Sequence, residues 1–349
     1  MPYPVIYGAT GYVGRLVARL AVERGLRPTL AGRHAGRLAA LDLDAPRCVA
    51  ELDDPAVLDR LLADADVLLN AAGPFGRTQR PLLDACVRTR THYLDLSGEV
   101  DEFLTVRRRQ GELERAGIMA MPGVGFGVAP SDAMAVHLAG RLPSARRLEL
   151  SFVTSGQVSR GTLGTLLDGL ATPGRQRVGG RLVPARAAAE RRKITYGGVT
   201  TLVVTNPWRA DVVSAGQSTD VPDVATFFAV PAPVRLAMGV APAAARLVPA
   251  GPARRLRAAL LRRVPEGPSP AQLDAGSSLV HGVAVDDAGT VAESVLLGPD
   301  PYRYSAHTAV ELLARTAAGD AVPGYRTPAE VHGPAVALTT PGTALRDLR

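Results

Sequence analysis

A glycine-rich turn near the start of the chain limits the possible folds more than any other feature of the sequence. Residues 8–14 read Gly-Ala-Thr-Gly-Tyr-Val-Gly, between an apolar segment, Pro4–Tyr7, and an amphipathic one, Gly14–Arg24. Glycines allow the backbone to turn tightly and to approach a diphosphate, which the N–H groups at a helix N-terminus stabilise. In a strand–turn–helix context this pattern is typical of dinucleotide-binding domains. We therefore expect cofactor contacts from Gly8, Thr10, Gly11, Tyr12, Val13 and Gly14.

The alternation of strand and helix patterns continues to about residue 128. Strand patterns cover Pro28–Ala31, Arg47–Leu52, Val67–Ala71, Thr91–Leu96 and Ile118–Met121, and helix patterns cover Pro55–Ala63, Pro81–Arg88 and Val100–Ala116. Strands separated by helices pair in parallel through right-handed crossovers. The sequence therefore predicts an α/β fold in which residues 1–128 form a Rossmann domain with a doubly wound parallel sheet.

Beyond residue 128 the pattern is that of a second, α+β domain. A chain of 349 residues is too long for one ordinary core, so we expect this domain to span residues 129–349. Whether the last ~45 residues pack back on the Rossmann domain is left open. Helix patterns cover Ser131–Arg141, Thr162–Leu170 and Ser305–Ala317, strand patterns cover Arg147–Thr154, Thr200–Thr205 and Thr226–Val230, and Leu279–Val285 with Thr290–Leu297 predicts a hairpin.

The end of the second strand favours NADP(H) over NAD(H). NAD sites usually place a carboxylate there to bind the ribose 2′-hydroxyl. Here Arg33 follows the strand, and the first carboxylate after it is Asp42. A guanidinium pairs with a 2′-phosphate through two parallel hydrogen bonds. We expect Arg33 and Arg37 to bind this phosphate and Asp53 to lie near the adenine.

Composition narrows the range of functions. The net charge is +7, but Lys193 is the only lysine and aromatic residues make up 4% of the chain, so we do not expect nucleic-acid binding. Two cysteines suggest neither a disulfide framework nor a zinc site, and no metal site is predicted. The chain shows no signal-peptide pattern and no apolar run of ~18 residues, so we expect a cytoplasmic protein.

Ligands of open parallel sheets bind at the carboxyl ends of the strands. The fourth strand is followed by small residues suited to close contact with a cofactor: Ala72, Gly73, Pro74 and Phe75. Tyr93 and Glu99 flank the end of the fifth strand and are the candidate catalytic residues. The alternatives remain open: Tyr93 as a core residue, and Glu99 as a charge that stabilises a helix N-terminus.

Several of these segments resemble the saccharopine dehydrogenase-like family, in particular its trans-acting enoyl reductase branch. The specific matches are Gly8–Gly14, Ala31-Gly32-Arg33, Ala71–Phe75 with Pro81 and Cys86, Thr91–Glu99 and Gly125–Asp132, and looser ones are Ser159–Thr162, Asn206-Pro207-Trp208 and Tyr325–Pro328. The resemblance implies an NADP-binding Rossmann domain and a C-terminal substrate or dimerisation domain. It also implies hydride transfer to a C=C or C=N bond.

Three functions stay open. The first is NADPH-dependent reduction of an activated, enoyl-type C=C bond in a small or lipid-like substrate. The second is a saccharopine-type imine reductase or amine dehydrogenase, and the third is a catalytically silent NADP(H) sensor. A short-chain dehydrogenase is not expected, because Ala189 stands where its Tyr-xxx-Lys motif would place the tyrosine before Lys193.

The predicted second domain adds weaker candidates. Ser131, Arg160 and Trp208 are candidate substrate contacts, although Ser131 also suits a helix cap. The basic stretch 235–263 alternates apolar and arginine residues, so it suits a lid or a peripheral contact with a membrane or lipid. Prolines within it argue against one long helix. A homodimer is also left open.

Overall fold

The computed structural model describes residues 3–169, 173–235, 238 and 250–349. The chain divides into two compact units. The first comprises Met1–Pro130 and Tyr302–Pro341, and the second comprises Ser131–Pro301 and Gly342–Arg349. Residues 236–237 and 239–249 of the basic stretch 235–263 lie outside the described residues.

The first unit contains a seven-stranded sheet in which every neighbouring pair is parallel. In chain order its strands are β1 Pro4–Tyr7, β2 Thr29–Gly32, β3 Arg47–Val49, β4 Val67–Asn70, β5 His92–Asp95, β6 Met119–Met121 and β15 Gly324–Tyr325. The spatial order is β15-β6-β5-β4-β1-β2-β3, which reverses direction at β1. The doubly wound parallel sheet predicted from the sequence is confirmed.

Helices connect these strands. They are α1 Tyr12–Glu23, α2 Ala35–Ala39, α3 Pro55–Leu62, α4 Phe75–Thr89, α5 Val100–Arg107, α6 Gln110–Ala116, α7 Ala129–Arg141, which leads into the second unit, and, near the C-terminus, α12 Pro301–Ala317 and α13 Pro328–His332. Residues of β1, β2 and β4 are buried throughout, as expected for strands covered on both faces. At α3, Asp54 accepts a hydrogen bond from the Val57 N–H, and Pro55 occupies the first turn, where no intrahelical donor is needed.

Helix α4 and the pair α5 and α6 differ from the sequence prediction. Helix α4 begins at Phe75, so Pro81 lies inside it. The hydrogen bond that Pro81 cannot donate is offset by burial of Leu82 and Leu83 on the same helix. The single helix predicted over residues 100–116 is divided into α5 and α6 near Arg109, whose guanidinium binds both Asp84 and Glu112.

The second unit contains a nine-stranded mixed sheet and is α+β, as predicted. Its strands are β7 Arg147–Ser155, β8 Gly174–Val178, β9 Arg181–Ala185, β10 Arg191–Tyr196, β11 Val199–Thr205, β12 Asp223–Phe228, β13 Ser277–Val285, β14 Val291–Pro299 and β16 Ala344–Asp347. Its further helices are α8 Arg160–Gly169, α9 Asp211–Ser218, α10 Ala250–Arg263 and α11 Pro270–Ala275. The main order is β10-β11-β12-β7-β13-β14-β16, with β8 beside β12 and β9. Only β12 and β7 pair in parallel within this described sheet.

Strands β8, β9, β10 and β16 were not predicted. Their sequences are rich in arginine and lack regular apolar alternation, and β8 and β9 have no buried residue in the described chain. Pairing with other strands, which is a tertiary effect, holds them in the sheet. No helix in the described parts of the chain is long and apolar enough to span a bilayer.

Candidate active site

The turn between β1 and α1 leaves no space for side chains at two of its glycines. Gly8 has a φ of +85°, and a Cβ atom there would lie 2.7 Å from Ala72. A Cβ on Gly14 would collide with the Gly8 carbonyl oxygen. The Gly11 N–H donates to that same oxygen at 3.0 Å. The turn therefore presents bare main chain at the carboxyl end of β1.

Helix α1 begins directly after this turn. Gly11 is its N-cap residue, and the first turn contains Tyr12, Val13 and Gly14. N–H groups in the first turn of a helix lack carbonyl partners within the helix and carry a partial positive charge. This cradle of glycines and N–H donors fits a dinucleotide diphosphate.

Charged side chains surround the Tyr7 hydroxyl at the ends of β1, β2 and β3. The hydroxyl donates to the Ala50 carbonyl oxygen at 2.8 Å. Burial raises the pKa of Tyr7 to about 12, the positive charge of Arg33 opposes this rise, and the negative charges of Glu51 and Asp53 add to it. Arg33, Glu51 and Asp53 therefore all lie near Tyr7, and the sequence prediction did not include Glu51.

Asp95, the last residue of β5, is fully buried and accepts five hydrogen bonds. The donors are the Gln79 amide at 3.0 Å, the Tyr93 hydroxyl at 2.9 Å, the Ser97 N–H at 2.9 Å, the Ser97 hydroxyl at 2.6 Å and the Gly123 N–H at 3.1 Å. These donors come from α4, β5 and the segments that follow β5 and β6. Asp95 thus joins the carboxyl ends of two neighbouring strands to the helix beside them.

Asn70, the last residue of β4, extends this network. Its amide donates to the Tyr93 hydroxyl and to the Thr78 hydroxyl, both at 3.1 Å. Its carbonyl oxygen accepts from the Ala72 N–H at 3.0 Å, and the Thr78 hydroxyl donates to the Ala72 carbonyl at 2.6 Å. Asn70 and Thr78 therefore hold Ala72, the residue that packs against Gly8.

Tyr93 is a fully buried member of this network. Burial raises its pKa well above the ordinary value, and the negative charge of Asp95 adds to the effect. The hydroxyl therefore stays protonated at neutral pH. This geometry favours the core reading of Tyr93, and its catalytic role stays a prediction.

Glu99 and Glu102 stand at the N-terminus of α5. Glu99 is the half-buried N-cap residue, and its carboxylate accepts a hydrogen bond from the Gly98 N–H at 2.9 Å. Burial and the nearby charge of Glu99 raise the pKa of Glu102 to about 7. The sequence prediction named Glu99 but not Glu102.

The other predicted cofactor residues lie on or next to these elements. Ala72 contacts the turn at Gly8, the Gly73–Pro74 peptide is cis, and Pro74 is the N-cap residue of α4, which begins at Phe75. Arg37 is exposed in the last turn of α2.

The predicted substrate residues lie in the second unit and have separate surroundings. Ser131 is buried in the first turn of α7, next to Asp132, which accepts a hydrogen bond from Ser218 at 2.7 Å. Arg160 begins α8, and its guanidinium donates to the Val264 carbonyl oxygen at 3.0 Å. Trp208 is half-buried, and its backbone N–H donates to the Asn206 side-chain oxygen at 3.4 Å. Their substrate contacts stay predictions.

The sequence analysis missed Asn70, Gln79 and Asp95 as network members. The available signal was a polar residue closing each of two buried strands, Val67–Asn70 and His92–Asp95. A polar side chain at such a position must find hydrogen-bond partners. Gln79 gave no comparable signal, because its partner becomes apparent only when α4 packs against β5.

Comparison with known proteins supports the assignment of the glycine turn to a dinucleotide-binding site. Residues 5–121 match the saccharopine dehydrogenase NADP binding domain family. A trans-acting enoyl reductase from Mycobacterium leprae is 35% identical over 158 residues, which are 42% of this chain and 37% of that protein. A trans-acting enoyl reductase from Mycobacterium tuberculosis is 37% identical over 105 residues, 28% of this chain and 25% of that protein. The matched region thus spans less than half the length of these curated relatives.

Among solved structures, apo saccharopine dehydrogenase (L-Glu forming) from Saccharomyces cerevisiae matches with a TM-score of 0.70 at 13% identity. The match covers 100% of both chains and shows that the fold is shared. The family match supports the predicted NADP(H) cofactor and the predicted class of NADP-dependent oxidoreductases. The predicted resemblance is thus confirmed by the match of residues 5–121 to the saccharopine dehydrogenase NADP binding domain.

Proposed function

We propose that this protein is an NADPH-dependent reductase of an activated, enoyl-type C=C bond. The observation that carries the proposal is the side-chain-free turn at Gly8 and Gly14, which lies within the NADP-binding domain match. When bound, NADPH supplies a hydride. The chain's own residues bind and orient the cofactor and the substrate, and they supply a proton.

Each part of the dinucleotide has suitable residues. The glycine turn and the first N–H groups of α1 hold the diphosphate. Arg33, exposed after β2, pairs with the 2′-phosphate, with Arg37 on α2 in support and Asp53 near the adenine. Residues 72–75 lie where the nicotinamide would rest, because Ala72 contacts the turn and Asn70 holds it in place.

A cavity in the second unit favours an acyl substrate over an amino-acid imine. Its volume is about 300 Å³. Its apolar lining includes Val153, Leu279 and Leu297, and its polar side chains are serines, threonines and Tyr196. Among the described residues, no charged side chain lines it. An apolar chain suits such walls, whereas a dicarboxylate amino acid would need arginine or lysine partners. The printed name of the curated relatives, trans-acting enoyl reductase, points in the same direction.

Two measurements test the proposal. Fluorescence titration of purified protein is expected to show tighter binding of NADPH than of NADH. Mixing with a crotonyl thioester and NADPH is expected to give loss of absorbance from NADPH and a butyryl product. Oxidation of NADPH by an imine but not by thioesters would indicate saccharopine-type chemistry. Tight NADPH binding without turnover of either substrate class would indicate a sensor.

Three further predictions concern partners. We propose that the second unit binds the substrate, and we retain a homodimer and a lipid contact through residues 235–263 as predictions. Light scattering measures the oligomeric state, and sedimentation with anionic vesicles measures the lipid contact. The cytoplasmic location also stays a prediction.

A further inference from the structure

Glu102 lies against the N-terminal turn of a neighbouring helix. A Cβ atom placed on Gly76, the second residue of α4, would lie 3.1 Å from Glu102 Oε1. Gly76 directly follows residues 72–75, the segment assigned above to the nicotinamide. The Glu102 carboxyl group is therefore next to the proposed cofactor loop, at the edge of the sheet where ligands of such folds bind.

The surroundings of Glu102 disfavour a negative charge. The charged groups that act on it are all carboxylates: Glu99 before α5, Asp95 at the end of β5, and Asp101 on α5. On α4, Gly76 lies next to it, since a Cβ atom there would lie 3.1 Å from Glu102 Oε1. Burial, followed by the charge of Glu99, raises the pKa of Glu102 to about 7, and a hydrogen bond with its own backbone opposes the rise. A carboxyl group of this kind takes up and releases protons at neutral pH.

The neighbouring acidic groups are less suited to proton transfer. Asp95 is fully buried and accepts five hydrogen bonds. Tyr93 is equally buried, and burial keeps its pKa far above neutral. The Glu99 carboxylate already accepts a hydrogen bond from the Gly98 N–H at 2.9 Å. Among these groups, Glu102 is the one whose carboxyl group is both partly exposed and protonated to a large extent at neutral pH.

We propose that Glu102 is the proton donor of the reduction, an inference that rests on the proposed function. Addition of hydride at the β-carbon of the enoyl group leaves an electron pair at the α-carbon. The Glu102 O–H bond breaks, its proton forms the new C–H bond at the α-carbon, and its electrons remain on the carboxylate. Water then returns a proton to Glu102 before the next turnover.

Two matched variants test the inference. Glu102→Gln keeps the shape of the side chain and removes its acid function, whereas Glu114→Gln makes the same change at an exposed position on α6. Both are expected to bind NADPH like the unmodified protein. With a crotonyl thioester at pH 7, Glu102→Gln is expected to lose at least ~100-fold in kcat, and Glu114→Gln none.

A second readout does not depend on turnover. In protein labelled with δ-¹³C glutamate, one carboxyl resonance is expected to titrate near pH 7 and to be absent from Glu102→Gln. Its pKa is expected to be lower with NADP⁺ than with NADPH, because the oxidised nicotinamide carries a positive charge. If Glu102→Gln does not fold, Gly76→Ala assigns the resonance, since its Cβ presses on the carboxyl oxygen.

The outcomes separate the two proposals. A carboxyl that titrates near pH 4.5, or that ignores the oxidation state of the cofactor, overturns the role of Glu102. Unchanged kcat in Glu102→Gln does the same. If thioesters are not reduced by the unmodified protein, the proposed function fails, even where the carboxyl responds to NADP⁺.

Discussion

The Tyr93 hydroxyl donates a hydrogen bond to the Asp95 carboxylate at 2.9 Å, and neither residue is exposed to solvent. The two side chains lie two positions apart on β5 and therefore on the same face of the strand. Through Asn70 and Gln79 the pair connects β4 and α4 to β5. The strand ends that form the candidate site are thus held together by buried hydrogen bonds.

Tyr93→Phe separates a structural role of this tyrosine from a catalytic one. The change leaves Asn70 without one acceptor and Asp95 without one donor, so we expect a loss of about 1–2 kcal/mol in unfolding free energy. If the role is structural, kcat falls by less than ~10-fold. Urea denaturation and steady-state kinetics check both values, and a loss of kcat at unchanged stability would restore Tyr93 as a catalytic residue.

Asp95→Asn is expected to be more damaging than Tyr93→Phe. An amide replaces one carboxylate oxygen with an NH2 group. With its carbonyl oxygen kept toward the Ser97 and Gly123 N–H groups, this NH2 group would face the Gln79 amide and the Tyr93 hydroxyl, which both donate to the carboxylate. Leaving such buried groups unsatisfied costs about 1–3 kcal/mol each. We expect a lower midpoint of urea denaturation, together with weaker NADPH binding. A variant as stable as the unmodified protein would contradict the central role of Asp95.

Gly14→Ala is expected to abolish NADPH binding. The added Cβ would collide with the Gly8 carbonyl oxygen, so α1 must move away from the turn that we propose binds the diphosphate. The matched control is Gly111→Ala on α6, where no described atom outside the helix lies within 4 Å of the new Cβ. That control should gain up to ~1 kcal/mol from better helix propensity. Isothermal titration with NADPH distinguishes the two variants.

Arg33→Gln is expected to weaken NADPH binding by about 10- to 100-fold and to leave NADH binding unchanged, because only NADPH carries the 2′-phosphate. Arg19→Gln, at an exposed position on α1, controls for the loss of one positive charge. Fluorescence titration at two salt concentrations provides the measurement. Equal losses for both nucleotides would contradict the pairing of Arg33 with the phosphate.

The unfolding free energy should depend on pH through Glu102. Its pKa is about 7 in the folded protein and near the ordinary 4.5 in the unfolded chain. The folded state therefore binds more protons between these values, and its stability falls as pH rises from about 4.5 through 7. After allowance for partial exposure we expect a loss on the order of 1–2 kcal/mol. Glu102→Gln should remove this pH dependence, which thermal unfolding at several pH values can measure, and an unchanged slope would contradict the assignment.

Local patterns were sufficient for six of the seven strands of the Rossmann sheet, and the two-residue strand β15 was not predicted. Strands β1, β2 and β4 are short apolar runs followed by turn residues. The glycine turn identifies β1 as the first strand of the dinucleotide-binding domain. In the second unit, β7, β13 and β14 were recognisable because apolar and polar residues alternate along each strand. Strands β8 and β9 escaped prediction, since their polar sequences gain regular structure only by pairing.

The sequence by itself determined the class of cofactor-binding domain, because bare glycines and a strand-to-helix turn are local requirements for approaching a diphosphate. Only the tertiary structure decided the surroundings of the ionisable groups. Asp95 lies beside Gln79 and Gly123, and Glu102 lies beside Gly76. These residues are separated in the sequence, so local patterns do not reveal that they are neighbours. Burial and neighbouring charge set a pKa, and both depend on which segments the fold brings together.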